Sequence, residues 1–132
     1  MKIASILENQ KIEKRIAITP EIAKKYIFLG FEVLLSENYG NHLGIKDEEY
    51  KELGVSIANN EKEIITNADI IVQLGLLDDG KNSLLKENQT FIGVLNPYDN
   101  KDKIDSLVNK NINTFSLELL PRITRAQSMD IL

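Results

Sequence analysis

Asp69-Ile70-Ile71-Val72-Gln73-Leu74 is apolar for most of its length and does not alternate. A strand with one face in water alternates polar with apolar residues, whereas one covered on both faces does not. This run therefore reads as a central parallel strand. Lys2 to Leu7 has the same character and reads as a first central strand. Outward from these two, Phe31 to Ser36, Gln89 to Leu95 and Ile112 to Leu117 read as further strands, and Val55 to Ala58 as a weak, brief one.

The segments between the strands carry helix signals. Thr19-Pro20-Glu21 supplies a hydroxyl cap, a proline in the first turn and an acid beside it; Ile22, Tyr26 and Leu29 then recur at helical spacing until Gly30 stops the helix. Asp47 caps a short helix that Gly54 ends, and Asn59 or Asn60 can cap one through Ala68. Lys81 to Glu87 reads as a short helix, and Asp99 to Asn111 as a longer one with Ile104, Leu107 and Val108 on one face. Strands alternating with helices throughout imply βαβ units: a three-layer, doubly wound α/β domain with a mostly parallel, flavodoxin-like sheet. Ligands of such sheets bind beyond the carboxyl ends of the strands, so the loops after Leu7, Leu74, Leu95 and Leu117 should share one edge.

Composition narrows the chemistry. The 132 residues suffice for one domain with a core, and the net charge of -4 argues against a nucleic-acid surface. Without cysteine there is no disulfide framework and no thiolate nucleophile or ligand. No apolar run approaches the roughly 18 residues of a membrane span, and no signal-peptide core is present. No strand is followed by Gly-x-Gly-x-x-Gly, and no Gly-Lys-Ser/Thr loop occurs, so the segment has no dinucleotide or triphosphate fingerprint of its own. The lone His42 reads as a solvated loop residue, and Asp78, Asp79 and Glu87 as a turn followed by a solvated helix face. A phosphoacceptor receiver domain needs an aspartate ending a strand, and none stands there.

Two polar stretches remain. Arg15 sits in Glu13-Lys14-Arg15-Ile16-Ala17-Ile18-Thr19-Pro20; it is either an exposed loop arginine or a ligand contact, aimed into the strand-end crevice by the apolar residues that follow. At the other end, Pro121-Arg122-Ile123-Thr124-Arg125-Ala126-Gln127-Ser128-Met129-Asp130 crowds guanidinium, carboxamide, hydroxyl and carboxylate groups after an apolar strand. Arginines grip phosphate or carboxylate, and an amide with an acid can read a polar edge.

Those two stretches, with Leu29-Gly30-Phe31-Glu32-Val33, resemble the N-terminal region of the alanine dehydrogenase and pyridine nucleotide transhydrogenase family, the terminal decapeptide its transhydrogenase branch. The resemblance covers essentially all of residues 1–132. It implies a fold like the catalytic domain of formate/glycerate dehydrogenases, as the N-terminal domain of a two-domain subunit. A Rossmann domain should follow, so the sequence reads as a truncated piece that alone neither binds NAD tightly nor catalyses.

Within that resemblance, alanine dehydrogenases carry a lysine and a histidine where this chain has Gln73 and Asn96. Carboxamides cannot supply the proton that amino-acid oxidation requires, whereas hydride exchange between two nicotinamides needs no acid or base. The resemblance implies that Arg122, Gln127 and Asp130 belong to a loop orienting the nicotinamide of NAD(H), with Arg15, Gln73 and Asn96 as further lining. It implies hydride transfer between NAD(H) and NADP(H) coupled to proton translocation, with NADP on a partner subunit and a proton channel in membrane subunits. A homodimer, cytoplasmic and peripheral to the inner membrane through those subunits, is the matching assembly. Two other readings stay open: an alanine dehydrogenase-like NAD-dependent oxidoreductase, and a non-catalytic dimerisation or regulatory domain.

Overall fold

A computed structural model of the chain describes residues 1–8, 13–77, 81, 83–94 and 99–117. Six strands, β1 (Lys2–Ser5), β2 (Glu32–Ser36), β3 (Ser56–Ala58), β4 (Ile70–Gln73), β5 (Thr90–Gly93) and β6 (Asn113–Ser116), form one sheet in the order β3-β2-β1-β4-β5-β6. Every pairing is parallel. Among the described residues, α1 (Pro20–Phe28), α2 (Asp47–Glu52), α3 (Glu61–Asn67) and α4 (Lys101–Asn109) flank the sheet. The expected doubly wound α/β sandwich is therefore present.

The absence of alternation in the two central runs has the anticipated cause. Ile3, Val33, Leu35 and Val72 pack with Ala23, Tyr26 and Tyr50 of α1 and α2 on one face of the sheet. Ala4, Ile71 and Phe91 pack with Ile64, Ile65 and Leu107 of α3 and α4 on the other. Each fully buried isoleucine, leucine or phenylalanine contributes about 1.5–3 kcal/mol, so both faces of β1 and β4 must be apolar to hold the sandwich.

Helices feed strands through one repeated device. Gly30 and Gly54 adopt φ of +97° and +100°, and Asn111 +62°, each just past a helix end. The next residue's amide then bonds back into the helix: Phe31 to the Tyr26 carbonyl at 3.0 Å, Val55 to Tyr50 at 3.1 Å, Ile112 to Leu107 at 3.1 Å. This closure turns the chain directly into the following strand, and the rings of Tyr26 and Phe31 meet edge-on across it at 6.4 Å.

Three local expectations need correction. Lys46 rather than Asp47 is the residue before α2; its amide is bonded by Glu49, while the Asp47 carboxylate accepts from the Asn38 amide. Of the helix expected over Lys81 to Glu87, Lys81 is helical, whereas residues 83–87 are turns and connecting chain. Val108 is 55% exposed while Leu107 is 1%, so the buried face of α4 runs through Ile104 and Leu107 only. Among the described residues no helix is long and apolar enough to cross a membrane.

Candidate functional site

The sheet order places a topological switch between β1 and β4. From β1 the chain crosses to β2 on one side, and from β4 it crosses to β5 on the other, so the two connections diverge and leave a crevice at the carboxyl edge.

The ladder itself opens there. β1 and β4 pair at Ile3↔Ile70 and Ala4↔Ile71 and no further, whereas β1–β2 continues to Ser5↔Leu35 and β4–β5 to Gln73↔Gly93. Main-chain groups released from a ladder still need partners when buried. Side chains supply them, reaching both ways across the gap. From β4, the Gln73 carboxamide accepts from the Ile6 amide at 2.8 Å and donates to the Ile6 carbonyl at 3.1 Å. From the end of β1, the Glu8 carboxylate accepts from the amides of Leu74 at 3.0 Å and Gly75 at 2.8 Å.

Behind this gap lies a buried hydroxyl chain of fixed direction. Ser5 Oγ donates to Gln73 Oε1 at 2.9 Å, so its only proton is committed, and the 2.8 Å contact with the Tyr39 hydroxyl must have Tyr39 as donor. The Tyr39 oxygen in turn accepts from the amides of Ala17 and Ile18, both at 3.1 Å, and Tyr50 donates to the Ile18 carbonyl at 2.8 Å. Two tyrosines from the far side of the first core thus tie down the β1–α1 connection, and their rings meet edge-on at 6.1 Å. Tyr39 can reach because its loop packs tightly: a Cβ on Gly40 would lie 2.9 Å from Ile45 Cβ.

Burial sets the electrostatics. It pushes the Tyr39 phenol up to about 12 and the Tyr50 phenol higher still, so both stay neutral hydroxyls. Burial also raises the Glu8 carboxyl, against the lowering pull of the Leu74 and Gly75 amides; Glu13 adds to the rise and Arg15 opposes it.

Of the anticipated site residues, Gln73 forms part of the crevice floor, 1% exposed, with its carboxamide engaged by Ser5 and Ile6. Arg15 sits at the rim, its side chain 75% exposed and doubled back on Glu13 at 2.7 Å, rather than aimed inward. The chelating Glu13 carboxylate two residues away is simply its nearest partner, although Ala17 and Ile18 are buried as anticipated. Asn96, Arg122, Gln127 and Asp130 lie outside the described residues. His42, read as solvated, bonds through Nε2 to the Lys14 carbonyl at 2.6 Å and so pins the Arg15 loop to the loop after β2. Glu8, Ser5 and Tyr39 were not anticipated. A glutamate opening a polar stretch and a tyrosine beside a glycine carry no local signal of meeting across a sheet.

The fold and this switch-point crevice define the class: a doubly wound α/β domain whose ligand edge lies at the ends of β1 and β4. Residues 6–132 match the family described as alanine dehydrogenase/PNT, N-terminal domain, and the chain belongs to that family. It is 41% identical, over its whole length, to an NAD(P) transhydrogenase subunit alpha polypeptide of Rickettsia prowazekii, of which it covers 36%. The crystal structure of transhydrogenase from Sinorhizobium meliloti superimposes with a TM-score of 0.87 at 32% identity, over 97% of this chain and 38% of that one. An L-alanine dehydrogenase structure shares the fold, with a TM-score of 0.82 at 17% identity over 89% of this chain and 32% of its own. The chain thus spans a little over a third of each of these two transhydrogenase relatives.

Proposed function

We propose that the chain is the N-terminal part of the NAD(H)-binding alpha subunit of a proton-translocating NAD(P) transhydrogenase. In this reading NAD(H) is held mainly by a Rossmann domain, and this domain supplies the edge against which the nicotinamide is set. The likeness along the whole chain to a transhydrogenase alpha subunit is the observation that carries it.

The described part of the crevice fits a nicotinamide. Buried beneath it are neutral polar groups, a carboxamide with both ends engaged, a serine hydroxyl and a phenol that burial keeps protonated, and the Glu8 carboxyl stands beside them. Bound NAD(H) supplies the hydride chemistry. Residues of this chain position the ring and keep proton traffic away from it, since neither Gln73 nor Tyr39 titrates near neutral pH. Amino-acid oxidation would need a proton acceptor at that strand end, and Gln73 is not one.

Arg122, Gln127 and Asp130 complete the site, the Gln127 carboxamide pairing with that of the nicotinamide; Asn96 and Arg15 line it further. NADP binds a partner subunit, protons move through membrane subunits, and the domain acts as a homodimer on the cytoplasmic side of the membrane. Stopped-flow hydride exchange with the full-length subunit and its NADP-binding partner is the test. Transfer from NADH to an NADP analogue is expected, and pyruvate- and ammonia-dependent NADH oxidation in its place would overturn the reading.

A further inference from the structure

We propose that Glu8 is a positioning residue for the crevice: its carboxylate spans from the end of β1 to Leu74 and Gly75, fixing that main chain as one wall of the nicotinamide site. The inference rests on the hydride-exchange reading above.

Three features of the geometry support it. First, the contact occupies the gap where the β1–β4 ladder has stopped, so no strand hydrogen bond holds the Leu74–Gly75 peptide against β1. Gln73 fixes Ile6, but the chain beyond Gln73 is tied across the gap by Glu8 alone among the described residues. Second, a carboxylate suits two adjacent amides in a way a neutral side chain does not. Its two oxygens each take one N–H, at 3.0 and 2.8 Å, whereas a carboxamide of the same shape offers a single acceptor. Third, Gly75 puts no side chain on that wall. Its φ lies outside the left-handed region, and among the described residues a Cβ there would meet only Glu8 Oε1, at an ordinary 3.7 Å. Among the described residues neither backbone strain nor crowding accounts for a glycine, and a position without a Cβ lets a flat ring approach the main chain closely.

The ionised state carries a cost, because burial raises the Glu8 carboxyl and the net shift stays upward despite the two amides. The titratable groups facing it are Glu13 and Arg15 from the β1–α1 connection and Tyr39 from behind β1. Tyr39 stays neutral, and Arg15, paired with Glu13, opposes the effect of Glu13 on Glu8. Protonating Glu8 leaves one good acceptor for two amides, so the wall loosens as pH falls through the Glu8 titration.

The test uses the full-length subunit with its partner and the variants Glu8→Gln and Glu8→Asp. Amide exchange at Leu74 and Gly75, corrected for intrinsic rates, reads the clasp; hydride-exchange kinetics and the NADH dissociation constant read the site. Glu8→Gln is expected to raise exchange at one of the two amides and to lower the hydride-transfer rate on the order of 10- to 100-fold, with the NADH dissociation constant nearly unchanged. The wild-type transfer rate should fall on acidification in step with that exchange, and the variant should lose this dependence. Faster amide exchange with a wild-type transfer rate would reduce Glu8 to a structural contact and overturn the proposal, as would unchanged exchange. If Glu8→Gln does not fold, the wild-type pH profiles decide alone: they must move together. Absence of transfer in the wild type would instead defeat the hydride-exchange reading, while leaving the clasp measurable by exchange.

Discussion

The Gln73 carboxamide bonds both main-chain groups of Ile6, its Oε1 2.8 Å from the amide and its Nε2 3.1 Å from the carbonyl. One side chain thereby replaces a rung of the ladder that β1 and β4 do not form. This bridge between the two central strands is uncharged at every physiological pH, whereas the second bridge, from Glu8, is a carboxyl.

Replacing Gln73 with methionine keeps the length and removes the polar ends. Ile6 would then hold a buried amide and carbonyl without partners, and Ser5 would lose its acceptor. The expected destabilisation is about 2–4 kcal/mol, read from the urea midpoint at pH 7. A change under about 0.5 kcal/mol would mean that water replaces the carboxamide.

Tyr39 links folding to alkaline pH. Its folded pKa of about 12 exceeds the ordinary value of 10.0, so its contribution is fully present below pH 10 and is lost as pH rises toward 12. About 2–3 kcal/mol is at stake across that window. Tyr39→Phe should flatten this loss, leaving the share due to Tyr50, and should itself cost about 2–4 kcal/mol at pH 8 by stranding the amides of Ala17 and Ile18. Urea titrations of both proteins at pH 8 and pH 11 measure the two effects.

Arg15 separates stability from binding. Its ion pair with Glu13 is exposed, and such pairs hold little of the fold. Arg15→Ala should leave the melting midpoint where it is. In the full-length subunit it should weaken NADH binding or slow transfer; unaltered binding and transfer would remove Arg15 from the site.

Gln127→Asn shortens the carboxamide by one methylene and keeps its chemistry. Slower hydride exchange with an unchanged melting midpoint is the outcome expected of a side chain that pairs with the nicotinamide amide. A wild-type rate would show that the pairing is made elsewhere.

The order of elements was legible from residues 2–7 and 69–74 outward because burial on both faces leaves its mark on every residue of a strand. Gly30 and Gly54 were legible as helix stops for a similarly local reason: the φ they adopt is one that side chains resist. Strand ends were not. The runs at 2–7 and 69–74 stay apolar past Ser5 and Gln73, where pairing stops, since the residues beyond still pack into the cores. Val108 missed for the opposite reason, an apolar side chain at helical spacing that falls just outside the covered face.

Sequence by itself determined the fold class and, at Gln73, a neutral side chain at the end of β4. Tertiary structure alone decided that the ladder opens between β1 and β4, and that Gln73 and Glu8 bridge it in opposite directions. It alone decided, too, that Tyr39 reaches from the loop after β2 to hold the β1–α1 connection. Periodicity records which face of an element is covered, because burial acts on each residue where it stands. Hydrogen bonds between residues 22 to 67 positions apart leave no such record, since either partner would look the same in water.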